Sequence, residues 1–272
     1  MEIIIRPKNQ WWKIDWKEIW DFRELFYFFT WKDIKVKYKQ TVVGVGWAIF
    51  QPLVTMVVFS IFFGKLAKMP SDGIPYPLFV YSGLVFWTFF SASLASVSGS
   101  FVDNERILTK IYFPRIILPV SSIMTHLVDF FVASVILIFI MAYYHFAPSL
   151  IGVLLCPLLI LLSFISSFGI GLLFASLNVK YRDVRYVLPF FIQLLIFVTP
   201  VIYPVSIMSP KYRWLLGLNP MAGVVDAARA GLLGGREIDW LLFAVSALSA
   251  FVYCLIGGIY FRKVERYFAD VI

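Results

Sequence analysis

The chain has 272 residues, of which 61% are hydrophobic and only 15% charged. One soluble core of this size does not bury so much apolar surface, which excludes an ordinary soluble enzyme and places the chain in a bilayer. The balance of +8, spread between apolar runs, suits contact with anionic lipid headgroups rather than nucleic acid, which calls for a soluble basic domain.

The first forty residues hold nine Lys or Arg interleaved with Trp, Phe and acids. No cleavable signal peptide is expected there, so targeting falls to the first span. At about 100° per residue, Trp12, Trp16, Ile19, Phe22 and Phe26 share one arc, opposite Lys13, Lys17, Asp21 and Glu24, with Arg23 a misfit on the apolar side. This predicts an amphipathic helix, either lying in the membrane interface or packed on the membrane domain.

Six stretches carry the roughly 20 apolar residues a span needs: 42–64, 77–100, 116–143, 150–176, 187–206 and 239–261. The first is entered through VKYKQTVVGVGWAIFQPL, where Gly44, Gly46, Gln51 and Pro52 suggest a span that does more than anchor. Ala92, Ser96 and Ser100 in the second, and Ser163, Ser167 and Gly171 in the fourth, repeat at four-residue spacing and predict close helix packing. His126 and Asp129 lie three apart on one face of the third. Such a pair is expensive at membrane depth; it reads as a proton relay or a polar patch facing a pore, or as local or intersubunit pairing. Cys156 and Cys254 sit in apolar runs as small hydrophobes rather than in a disulfide or metal site.

Between the spans, DNERILTKIYFPR (Asp103–Arg115) reads as a short charged helix stopped by proline, with NVKYRDVRY (Asn178–Tyr186) as its shorter counterpart. Both fit solvated connectors or surfaces on which a partner pushes. From Tyr203 to Gly235, Pro and Gly breaks separate two apolar pieces, about 212–218 and 221–233, each too short to cross. A pair of short re-entrant helices at the outer face is expected, because broken backbone at that depth must be satisfied by protein or a water-filled cavity. Asn219 and Pro220 supply a cap and first position for the second. Asp226 and Arg229, three apart, are expected to pair locally.

Lys and Arg number eighteen on one side of the spans and six on the other. Basic loops stay in the cytoplasm, so both termini are expected there and the span count is even. No internal repeat or linker divides residues 1–272. The expected fold is one all-α integral membrane domain: six transmembrane helices, an N-terminal amphipathic interface helix, and two short re-entrant helices before the last span.

Chemistry of its own is not expected. The sequence has no Gly-x-x-x-x-Gly-Lys-Ser/Thr loop, no metal-ligand spacing and no Gly-x-Ser-x-Gly turn. Catalytic residues, a metal and a bound cofactor are therefore not predicted, and transport energy must come from a partner. A membrane enzyme acting on lipid-linked sugars, or a proton-driven carrier, is the competing reading, though the carboxylates it needs are only scattered. Tyr38, Trp47, Phe50, Phe190 and Phe197 offer aromatic faces for a sugar path.

Four segments in order, KVKYKQTVVGVGWAIFQPL, NERILTKIYFPR, NVKYRDVRYVLPFFIQLLIFVTPVIYP and LNPMAGVVDAAR, resemble the membrane subunit of type-2 ABC exporters. The resemblance spans nearly the whole chain and points to exporters of lipid-linked polysaccharides such as O-antigen and teichoic acids; an exporter of lipids or drugs shares the architecture. It implies a homodimer in the bacterial inner membrane, paired with two copies of a cytoplasmic ATPase that holds the ATP and Mg. The segment Asn104 to Tyr112 would be the coupling helix, with Asn104, Glu105, Arg106, Lys110 and Tyr112 meeting the ATPase. The first and fifth spans would line a channel, with Gln51 among its few polar groups, and the re-entrant helices would close it. Lys35, Lys37 and Lys39 would attract the pyrophosphate of a polyprenyl-linked glycan by charge.

Overall fold

The computed structural model describes residues 16–39, 44–181, 183–234 and 236–265. Trp12, Lys13 and Arg182 lie outside the described residues. Within them all regular structure is helical. The chain begins with α1 (Trp16–Asp21) and α2 (Arg23–Lys39), then α3 (Gly44–Phe59), which continues as a π-helix over Ser60–Leu66. Next come α4 (Tyr76–Asp103), α5 (Glu105–Leu108), α6 (Ile117–Tyr143), α7 (Leu150–Lys180) and α8 (Val184–Val198). The last elements are α9 (Arg213–Leu216), α10 (Pro220–Leu233) and α11 (Trp240–Val264).

Among the described residues, five helices are long and apolar enough to cross a membrane: α3 with its π extension, α4, α6, α7 and α11. Their bounds follow the apolar runs to within a few residues. The expected fifth span, 187–206, differs. Helix α8 has only 15 residues, about 22 Å against a hydrocarbon core of about 30 Å. It stops because Thr199 precedes Pro200, and the proline ring pushes its predecessor out of helical geometry; Thr199 is extended, with ψ 135°.

Helix α4 is the axis of the bundle, buried along most of its length, whereas almost nothing of α3 is buried. Around α4 pack α6, α7 and α10, and α11 closes against α7 and α10. A smaller apolar cluster joins Phe29 of α2, Phe101 of α4, Ile117 of α6, Ala175 of α7 and Phe261 of α11, so α2 and α11 meet at one end. At the other, Tyr76 at the start of α4 donates to Ile202 O at 2.8 Å, and Ser149 before α7 meets Gly231 of α10. Helix α8 runs between these ends, from the Arg185–Asp103 ion pair to the turn beside Tyr76.

The N-terminal amphipathic pattern is realised as two helices broken at Phe22. Phe22, Leu25, Phe26 and Phe29 dock on the bundle, while Trp16, Trp20, Tyr27 and Trp31 remain exposed. The misfit Arg23 folds back onto α1, donating to Trp20 O at 3.3 Å with its guanidinium over the Trp20 ring. Helix α10 starts as its sequence predicts: Asn219 Oδ1 accepts from Met221 N at 3.1 Å and Pro220 is the first helical residue.

Candidate functional site

Helix α2 ends beside the first half of α6, and one carboxylate joins them. Asp129 accepts from Lys37 Nζ and from the Tyr38 hydroxyl, and its Oδ2 lies 3.2 Å from His126 Nδ1. A carboxylate only accepts, so Nδ1 carries a proton, and Nε2 lies 2.7 Å from the Ser96 hydroxyl on α4. The result is a relay of polar contacts from α2 through α6 to α4. Burial, and then the bond to Asp129, push the Tyr38 phenol well above its ordinary range, so it stays a donor.

This network sits on the wall of an open cavity of about 720 Å³ between α3, α4, α6 and α8, at the end of the bundle that carries α2. Trp47 supplies an aromatic face, and Gln51, Thr88, Ser91 and Gln193 supply uncharged hydrogen-bonding groups. Pro52 and Pro189, inside α3 and α8, also line it. Pro52 leaves the carbonyl of Ala48, itself a lining residue, without its helical donor, which adds a backbone acceptor beside the cavity. Amides, hydroxyls and a Trp face suit a hydroxyl-rich ligand, whose C–H faces stack and whose O–H groups exchange hydrogen bonds.

At the same end the α4–α6 connection forms an exposed knob. Only Glu105–Leu108 is helical, which shortens the expected Asn104–Tyr112 helix to one turn. The chain leaves the helix at Thr109, and Pro114 disfavours helical geometry at Phe113 beyond it. Glu105, Arg106 and Lys110 are exposed. Asn104 donates to Ser100 O at 2.9 Å, tying the knob to α4, and the Tyr112 hydroxyl donates to Glu18 at 2.9 Å, tying it to α1. Beneath it Arg115 donates to the Glu265 carbonyl oxygen; burial pushes the Arg115 guanidinium down and the Glu265 carboxyl up.

The opposite end is held by buried charge. Arg229 of α10 does not pair with Asp226, contrary to their spacing. Its guanidinium donates to Phe79 O at 3.0 Å, Pro200 O at 2.5 Å and Val201 O at 2.5 Å, and lies 3.6 Å from the Phe79 ring centroid. Asp226 instead pairs with Arg236, which also reaches Asp72 at 3.4 Å, and Ser206 donates to Asp72 at 2.6 Å.

The sequence matches the ABC-2 type transporter family over residues 24–233. The chain belongs to that family. It is 28% identical over 249 residues to the O-antigen export system permease protein RfbA of Klebsiella pneumoniae, an alignment covering 92% of this chain and 95% of the relative. A protein of the same name from Myxococcus xanthus is 26% identical over 255 residues, covering 92% and 96%. The polysialic acid transport protein KpsM of Escherichia coli is 26% identical over 244 residues, covering 86% and 91%.

In this ABC-2 type chain the anticipated residues separate into groups. Trp47 and Gln51 line the cavity with Lys37, His126 and Asp129. Phe50 packs against Trp47 with its ring tilted by 36°, centroids 5.7 Å apart, while Phe190 and Phe197 lie on the exposed face of α8. Tyr38 is turned to Asp129. Lys35 caps the Trp31 ring at 4.2 Å, Lys39 is exposed, and Lys37 is held by Asp129. Sequence spacing paired His126 with Asp129 but did not link the pair to Lys37, Tyr38 and Ser96, expected at a pyrophosphate, a channel and a helix contact, because no periodicity connects their positions. It also missed Gln193, although an amide inside VLPFFIQLLIFV is a readable signal.

Proposed function

We propose that the chain is the permease subunit of an ATP-driven exporter that moves lipid-linked, O-antigen-like polysaccharide across the cytoplasmic membrane. The observation that carries this is the family match together with near full-length similarity to permeases named for O-antigen export and polysialic acid transport. With no phosphate-binding loop in the sequence, ATP and Mg belong to a partner, and ABC-2 permeases work with an ABC ATPase subunit. The end bearing α2, α5 and most Lys and Arg faces the cytoplasm, where lipid-linked sugars and nucleotide are both at hand.

Two copies of this chain would join two ATPase subunits, with α3 and α8 lining a passage between copies. Helix α8 and the turn after it would complete a sixth crossing, in keeping with α2 and α11 meeting at one face of the bundle. Helices α9 and α10 then fold back as re-entrant pieces at the outer face. The exposed knob carrying Glu105, Arg106 and Lys110 docks the ATPase, and its ties to α1 and α4 transmit the push. The glycan passes without any bond made or broken. Asp129 is engaged by two hydrogen-bond donors and by His126 in the same network, an arrangement suited to holding helices rather than to acid–base work on a sugar.

The test is copurification with the cognate ATPase. Wild type is expected to retain the ATPase and alter its turnover, and Glu105→Arg to lose about tenfold or more of that association while remaining a folded dimer, since mismatched charge across an interface costs several kcal/mol and about 1.4 kcal/mol is one decade. A correctly folded wild type that binds no ATPase would overturn the reading.

A further inference from the structure

Among the described residues, the ionisable side chains lining the cavity are Lys37, His126 and Asp129, and they form one network. The ammonium of Lys37 is in contact with the Asp129 carboxylate, so with a neutral imidazole the wall presents no net charge to an arriving anion. Charge attraction by Lys37 therefore operates only when this pair opens.

We propose that Asp129 is an internal stand-in for a substrate phosphate: it fills an anion site built by Lys37, Tyr38 and His126, and the lipid-borne pyrophosphate docks by displacing it. An ammonium, a phenol and an imidazole N–H from two helices converge on one carboxylate, and those donors equally fit phosphate oxygens. A pyrophosphate brings more charge and more acceptor oxygens than one carboxylate, so it competes for them on favourable terms. Asp129 is one-fifth exposed, and the open cavity lets water take up the displaced carboxylate. Lys37 and Tyr38 form part of the final turn of α2, so displacement also unfastens that turn from α6. Occupancy of the cavity is thereby communicated to the helix that packs beside the coupling knob.

The competition has a measurable size. A site whose donors are occupied most of the time binds ligand more weakly by the fraction of time they are free, so a stand-in present about nine-tenths of the time weakens binding about tenfold. Removing it strengthens binding; removing the cation weakens it. A purely structural tie predicts the same sign for both changes, because either one loosens α2 from α6.

This inference rests on the reading that the substrate carries a lipid pyrophosphate. The test uses the permease–ATPase complex in phosphatidylcholine nanodiscs with farnesyl pyrophosphate as probe, and inorganic pyrophosphate or phosphatidylglycerol as competitor. Asp129→Asn is expected to bind the probe about tenfold more tightly than wild type, and Lys37→Gln about tenfold more weakly. Inorganic pyrophosphate is expected to compete, and phosphatidylglycerol not to. Equal affinities, or weakening in both variants, overturn the stand-in; competition by phosphatidylglycerol as strong as by pyrophosphate overturns the pyrophosphate assignment. If Asp129→Asn fails to assemble, Asp129→Ser is measured in its place with the same expected tightening, and unchanged affinity in Lys37→Gln still overturns the proposal. Glycan export by the wild-type complex in cells separates the two failures: export with the wrong affinity signs refutes only the stand-in, while absence of export refutes the polysaccharide reading.

Discussion

The turn after α8 leaves carbonyls with no helical donor, and Arg229 supplies donors from another element. Arg229 is 4% exposed, and its guanidinium serves Phe79, Pro200 and Val201 at once. A buried carbonyl left unpaired costs about 1–3 kcal/mol. Arg229→Gln reaches at most part of this set and is expected to destabilise the protein by about 3 kcal/mol or more, mostly through the orphaned acceptors. At roughly 2–4 °C per kcal/mol for a large domain, thermal unfolding of the purified protein should shift down by about 6–12 °C. Arg229→Lys keeps the charge but loses the planar fork, and should fall between the two. A melting point unchanged in Arg229→Gln would show that the turn finds its donors elsewhere. The three-residue spacing of Asp226 and Arg229 was legible in the sequence, but spacing along one helix says nothing about acceptors brought in by a broken neighbour. Those acceptors, together with Arg236, decide the pairing.

Between elements, the closest approaches are set by glycines on different helices. A Cβ on Gly257 of α11 would stand 2.0 Å from Gly169 O of α7, and one on Gly169 would stand 2.4 Å from Cys254 Cα. The two helices touch backbone to backbone, which gives the dense packing that replaces the hydrophobic drive inside a bilayer. Gly257→Val must part them. Overpacking of this kind costs about 1–3 kcal/mol, so a drop in melting temperature and in the yield of monodisperse protein is expected. The adjacent Gly258 meets nothing within 4 Å, and Gly258→Ala should leave both unchanged or slightly raised, since alanine favours helix. Equal behaviour of the two variants would mean that α7 and α11 are not in contact there. The serine and glycine stripes seen in the sequence point elsewhere: Gly171 does pack on Val97, but Ala92 lines the cavity and Ser96 serves His126. A repeat at four residues identifies one face of a helix without telling whether a neighbour, a cavity or a side-chain network occupies it. The Gly169–Gly257 contact has no such repeat, because its partners are far apart in sequence.

At the scale of the whole molecule, α3 and α8 carry apolar faces that something outside this chain must cover. Trp47, Phe50, Val54, Val57 and Ile61 on one, and Phe190, Leu194 and Phe197 on the other, are exposed apolar side chains at helical spacing. The outer surface of α6, with Phe131, Val135 and Ile138, is just as apolar and exposed. Hydropathy made the spans legible because burying a helix in lipid depends on composition, yet composition cannot tell a lipid-facing stripe from one facing a second copy or a polymer path. Charge can. A carboxylate at the centre of a lipid-facing helix costs about 2.5–3.5 kcal/mol, while one facing water costs little. If α8 borders a wet passage between two copies, Phe190→Asp should assemble with the ATPase in normal yield and lose export, having gained a charge and lost an aromatic face. Val135→Asp, on the lipid side of α6, should fail to assemble. Loss of assembly in both variants would put α8 against lipid and move the passage away from it. Survival of Val135→Asp with loss of Phe190→Asp would exchange the two faces. Only the first pattern agrees with a cavity of amides, hydroxyls and Trp47 opening between α3 and α8, because that wall then continues into water rather than ending at the bilayer.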